Sequence, residues 1–123
     1  MTQYVYYQPN KHATTDCAIR ALTKALDMPW KQTFLETIPH CLELQEVPNS
    51  KVIIDKVLTE NGWKWQGIKV KSGNMRPTIG SWNKKGEYVF RLASHVAYVK
   101  DLKLYDIWDC RNKAIYGYWY KIK

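Results

Sequence analysis

The sequence predicts an α+β domain, with helices in the N-terminal half packed on an antiparallel sheet from the C-terminal half. Three observations carry this. Between Thr15 and Leu58 the apolar residues recur at three- and four-residue spacings, the period of a helix face. From Trp63 onward the period becomes that of strands, rich in Tyr, Trp and Val. The two patterns are segregated along the chain rather than alternating, which separates α+β from α/β architecture. Its 123 residues, with no repeat, low-complexity stretch or linker, read as one domain over 1–123.

Taking the elements in order, Tyr4 to Tyr7 is a short apolar-aromatic entry strand. A helix from Thr15 to Leu26 follows, capped by Thr14 or Thr15, with Asp16 suited to the positive end of its dipole. Ala18, Ala21, Leu22 and Ala25 form its buried stripe, and Asp27-Met28-Pro29 stops it. Pro29 pre-sets the first turn of a second helix carrying Trp30, Phe34 and Leu35, which Pro39 ends or bends. The third helix starts after Pro48-Asn49-Ser50, turns Val52, Ile53, Val57 and Leu58 inward, and stops at Asn61-Gly62. Trp65, Ile68 and Val70 make a first C-terminal strand, and Thr78 to Lys84 a short helical turn. Tyr88 to Leu92, His95 to Val99 and Leu104 to Trp108 are strands, the last two joined by a hairpin turn at Lys100 to Lys103. Ile115 to Lys121 closes the sheet.

Composition narrows the function classes. No apolar run approaches the length a membrane span needs, and the N-terminus lacks the basic-then-apolar layout of a secretory signal, so a cytoplasmic protein is expected. Three cysteines, Cys17, Cys41 and Cys110, are odd in number and widely spread, which favours free thiols over a disulfide framework. With no Cys-x-x-Cys or Cys-x-x-His pair, neither a metal nor another cofactor is expected. Nineteen Lys and Arg against eleven Asp and Glu give a net charge of +8. That charge suits an acidic protein partner or nucleic acid. The lysines are scattered, however, and the densest cluster, Lys69-Val70-Lys71 through Arg76, alternates with apolar residues as a strand edge would.

Cys17 falls in the first turn of the first helix, where unpaired N–H groups and the helix dipole stabilise a thiolate, the nucleophilic form of cysteine. His95 opens a strand and is the candidate base, with His12 and His40 as alternatives. The hairpin brings residues 107–109 alongside His95. Asp109 or, with a shift of register, Asp106 is then the carboxylate that would hold the imidazole's tautomer and orientation. Each residue alone has a bland reading: a buried space-filling thiol, a histidine bonded to a carbonyl, aspartates paired with lysines.

The segment Thr15-Asp-Cys-Ala-Ile-Arg-Ala-Leu-Thr-Lys-Ala-Leu26 resembles the nucleophile helix of papain-like cysteine peptidases, nearest the branch of bacteriocin-leader-processing peptidases. Ser94-His-Val-Ala-Tyr-Val-Lys-Asp101 and Leu104-Tyr-Asp-Ile-Trp-Asp-Cys110 resemble that branch's histidine and acid strands. The layout, including the ending Tyr116-Gly-Tyr-Trp119, is similar to small proteins of phages and Gram-positive bacteria. The resemblance implies a papain-like fold and a Cys17–His95–Asp109 triad, Asp109 aligning with the acid better than Asp106. It implies hydrolysis of a peptide, isopeptide or side-chain amide in a bacterial host's cytoplasm, with a protein or peptide substrate. Two positions depart from the pattern. The glutamine that usually precedes the cysteine and serves the oxyanion hole is Lys11 here, leaving Asn10 and Gln8 as candidates. Ala18 replaces the glycine that often follows the cysteine. A non-catalytic protein on the same fold, binding a host protein or nucleic acid, is the alternative.

Overall fold

A computed structural model describes residues 1–10, 15–70 and 75–121. Three helices and six strands follow in the order β1 (Gln3–Tyr6), α1 (Cys17–Leu26), α2 (Trp30–Leu44), α3 (Lys51–Glu60), β2 (Trp63–Gly67), β3 (Glu87–Leu92), β4 (His95–Lys100), β5 (Lys103–Asp106) and β6 (Gly117–Lys121). The architecture is α+β. The strands make one sheet, β1-β5-β4-β3-β6-β2. It is mixed rather than purely antiparallel, because β1 runs parallel to β5, with Tyr4 beside Leu104. No helix among the described residues is long and apolar enough to cross a membrane.

Two apolar clusters sandwich the sheet. Ala18, Ala21, Leu22 and Ala25 of α1 and Ile54, Val57 and Leu58 of α3 pack on Val89, Val96, Tyr98 and Trp119. On the other side Phe90, Ala97, Val99 and Leu104 meet Ile79, Trp82, Cys110 and Ile115 from the connections. Strand alternation explains the division, since Val89 and Phe90 point to opposite faces. Burial of each such side chain contributes on the order of 1.5–3 kcal/mol. Helix α1 is the buried element: seven of its ten residues are inaccessible. It ends at Asp27, whose backbone is left-handed (φ 54°) and whose N–H closes on Thr23 and Lys24 carbonyls.

Several elements differ from expectation for identifiable reasons. Helix α2 runs through Pro39 to Leu44. Leu35, whose carbonyl the proline ring deprives of its helical donor, is 65% exposed, where water can serve it. Leu35 therefore faces out, as does Val52 on α3, where Ile54 takes the inward place. Thr78 bridges Ala114, residues 79–81 make a turn and 82–84 carry no regular structure, where the sequence predicts a short helical turn. Strand β5 stops at Asp106, short of Trp108. The β4–β5 hairpin turns tightly on Asp101 (φ 48°) and Leu102 (φ 65°), the two positive φ values that match strand twist. Asp101 also accepts the Gly86 N–H, 3.0 Å away, which ties the turn to β3.

Candidate active site

Cys17 is the first residue of α1, after Asp16 at the N-cap position. Neither Thr15 nor Asp16 supplies the side-chain cap; Asn49, from the loop before α3, does so. Its Oδ1 accepts the Ala18 N–H (3.2 Å), and its Nδ2 donates to the Thr15 carbonyl (2.8 Å). The Cys17 thiol lies 3.8 Å from the same Oδ1. A loop residue distant in sequence thus clamps the helix tip that carries the thiol.

His95 opens β4 after a tight turn at Ala93 and Ser94, the latter with φ 55°. The hairpin register pairs Tyr98 with Tyr105 and Val99 with Leu104. Continued three residues beyond the Tyr98–Tyr105 pair, it would put His95 opposite Trp108, with Asp106 as the diagonal neighbour on the same face. The Trp108 ring does pack on the imidazole, centroids 5.1 Å apart. Asp106 makes the bond: His95 Nε2 donates to its Oδ2 over 2.6 Å. Asp109, the acid favoured by resemblance, does not reach the site. It lies past the end of β5, exposed, and is clasped by Arg111 at 2.8 Å. A strand that ends two residues earlier than expected leaves it outside.

The Asp106 carboxylate is 1% exposed and receives four donors. Besides His95 these are Arg20 Nε (3.0 Å), the Ile107 N–H (2.7 Å) and the Cys110 thiol (3.6 Å). Arg20 is itself 2% exposed and reaches from α1, its NH1 bonded to Asp16 Oδ1 at 2.6 Å. Asp16 in turn accepts Trp30 Nε1 at 2.7 Å. A chain of alternating charge therefore runs Asp16–Arg20–Asp106–His95, with the neutral Trp30 indole donating to its first member. Each member satisfies the next, which is the condition for burying charge at tolerable cost.

Cys17 stands beyond the end of that chain, lining the same cavity as His95. Burial pushes the Cys17 thiol up. The His95 hydrogen bond, the Val96 backbone N–H and the charges of His95 and Arg20 outweigh it and bring the thiol below its ordinary range. Burial likewise disfavours the His95 cation, but bonds to Asp106, Cys110 and Cys17 and the Asp106 charge push it up to about 11. Each shift favours the charged form of its group, thiolate for Cys17 and imidazolium for His95. His95, Asp106 and Cys110 also bring ligand-type atoms within 4.8 Å of one another. Arg20 already balances Asp106, and burial holds the Cys110 thiol up in its protonated form, so this cluster suits a proton better than a metal ion.

A cavity of about 230 Å³ opens at Cys17 and His95, walled by Asn49, Ile54, Val96 and Trp119 among others. Gln8 and Asn10 are not among its lining residues; the Asn10 N–H donates to Gln8 Oε1 at 3.2 Å in the segment after β1. Lys11 and His12 lie outside the described residues. His40 is bonded to Glu60 on α3 (3.1 Å). Two members of the site escaped sequence reasoning. Arg20 carried a signal, a charged residue among Ala18, Ile19, Ala21 and Leu22 and one turn from both Asp16 and Cys17. Asn49, between a proline and a serine, looked like any turn residue. No family model, curated protein or solved structure matches the chain.

Proposed function

We propose that the chain is a papain-like cysteine hydrolase that uses Cys17 as nucleophile, His95 as acid–base and Asp106 as the group orienting His95. The observation that supports this best is a helix-tip thiol sharing a cavity with an imidazole whose Nε2 is held by a buried carboxylate. With Nε2 committed to Asp106, the other ring nitrogen, Nδ1, is the one that serves the thiol.

The Cys17 thiolate attacks the carbonyl carbon of an amide and the carbonyl oxygen becomes an oxyanion. The Cys17 backbone N–H, at the electropositive end of α1, is the oxyanion donor the cavity lining supplies. Imidazolium His95 gives its proton to the departing nitrogen, which leaves as an amine or as ammonia while the thioester forms. His95, now neutral, takes a proton from water, whose oxygen attacks the thioester. Collapse releases the acid and restores the thiolate and the imidazolium. Peptide, isopeptide and side-chain amide bonds all fit this cycle.

Incubation with a complex peptide mixture, followed by mass spectrometry, tests the reading. New termini or deamidated glutamines that vanish in Cys17→Ser are expected; an identical product profile for both proteins refutes it. The absence of Gln8 and Asn10 from the cavity wall favours a second reading, a non-catalytic binding protein. That reading expects Cys17 to alkylate no faster than an ordinary thiol.

A further inference from the structure

We infer that the trough at Cys17 selects substrates bearing an Asp or Glu side chain close to the bond attacked, through Lys51 and Arg91. The inference rests on the hydrolase reading and specifies its substrate class.

The cavity at Cys17 does not end at Trp119. A second hollow, lined by Trp65 and Tyr116, shares Lys51, Arg91, Leu92 and Ser94 with it, so the two form one trough. Lys51 is the first residue of α3, on one bank. Its Nζ sits 4.2 Å above the Trp65 ring and 5.8 Å from that of Trp119. Arg91, on the other bank, stands two residues beyond core Val89 on β3 and so on the helix-covered face of the sheet. Arg91 is partly buried.

Unpaired cations are unremarkable in a chain of net charge +8; what separates this pair is its surroundings. Among the described residues the trough has no Asp or Glu in its lining, and neither Lys51 nor Arg91 makes an ion pair. Three other surface hollows mix the two signs. One sets Lys85, Lys100 and Lys121 against Glu87 and Asp101, another sets Lys24 against Asp27, and the third holds Asp109 beside Arg111. Of these hollows, the trough at Cys17 holds two cations against aromatic and apolar walls with no carboxylate in its lining. Partial desolvation there strengthens their pull on a carboxylate. Placed on opposite banks beside the thiol, they would draw an acidic side chain next to the scissile carbonyl.

The test uses three N-acetyl tripeptide chloromethyl ketones that differ in one residue, Glu, Gln or Lys, with labelling of Cys17 followed by intact mass. The expected order is Glu over Gln over Lys, Glu exceeding Gln about five- to tenfold, as two partly exposed ion pairs would give. Lys51→Gln with Arg91→Gln brings the Glu/Gln ratio near unity, whereas Lys51→Arg with Arg91→Lys retains the preference. Fast labelling of Cys17 with no preference among the three overturns the acidic-substrate inference and leaves the hydrolase reading standing. Failure of every probe, together with slow iodoacetamide alkylation of Cys17, overturns both. Protection of Cys17 by a single-stranded DNA oligonucleotide, without a Glu preference, also overturns the inference and makes the trough a nucleic-acid groove.

Discussion

Two thiols flank the same imidazole, and they sit in opposite electrostatic worlds. Cys17, half-buried on the helix side, has Arg20 and the His95 cation nearby and is drawn below the ordinary thiol range despite its burial. Cys110, on the far side in the second apolar cluster, is raised by burial and by the Asp106 charge, which the His95 bond does not offset. Proximity to a histidine therefore does not by itself lower a thiol's pKa. What decides is which side of the acid–imidazole pair the sulfur occupies, and whether a cavity opens onto it.

The largest expected effect tests that contrast directly. Iodoacetamide should modify Cys17 on the order of a thousandfold faster than Cys110 in the folded protein, and the three cysteines at similar rates in urea. Equal protection of both in the native state would erase the distinction.

The next effect concerns the carboxylate that divides the two thiols. Asp106→Asn leaves Arg20 buried with only Asp16 to balance it and should cost about 3 kcal/mol in urea unfolding, as removal of one partner of a buried ion pair does. It should also lower Cys17 alkylation at neutral pH, because the imidazolium is no longer held. The same residue sets a pH dependence. His95 stays protonated in the folded chain up to about 11, while an unfolded histidine loses its proton near 6.5. Folding therefore takes up a proton between those values. The His95 contribution to stability is complete below about 6.5 and is lost as pH rises through about 11. In Asp106→Asn the urea midpoint should fall less steeply over that window; an unchanged slope would remove His95 as its source.

Smaller still is Gly117→Ala, at the start of β6 beside Trp65. A Cβ there would stand 2.3 and 2.5 Å from Trp65 ring atoms. Trp65 must then leave its place 4.6 Å from Trp119, at a cost of about 1–3 kcal/mol, and Lys51 loses its platform. A urea midpoint equal to the parent's would contradict that packing. The smallest expected effect is that of Asp109→Asn, which removes only a surface contact with Arg111 and should change neither Cys17 alkylation nor the urea midpoint. A loss matching that of Asp106→Asn would mean the acid had been assigned to the wrong residue.

Much of this contrast was legible in the chain, and the reasons for the remainder are physical. Periodicity exposed α1 and its stripe, since Ala18, Ala21, Leu22 and Ala25 mark one face whatever packs on it. The helix-tip position of Cys17 and the strand-opening position of His95 followed from the same local rules. The acid did not, because a turn fixes register only as far as the strand continues. Two residues separate Asp106 from Asp109, and β5 ends at the first of the two acids. The parallel β1–β5 pairing joins positions some hundred residues apart, which no local pattern encodes. Asn49 reaches the helix tip from 32 residues beyond Cys17 and was invisible for the same reason.

The central claim is a thiolate stabilised by His95, and ultraviolet absorbance reads a thiolate directly. A pH titration of the wild-type protein, with Cys17→Ala subtracted, should show the Cys17 thiolate persisting well below the ordinary cysteine pKa of about 8.5, and His95→Ala should abolish that persistence. A thiolate that appears only near about 8.5, alike with and without His95, would contradict the account.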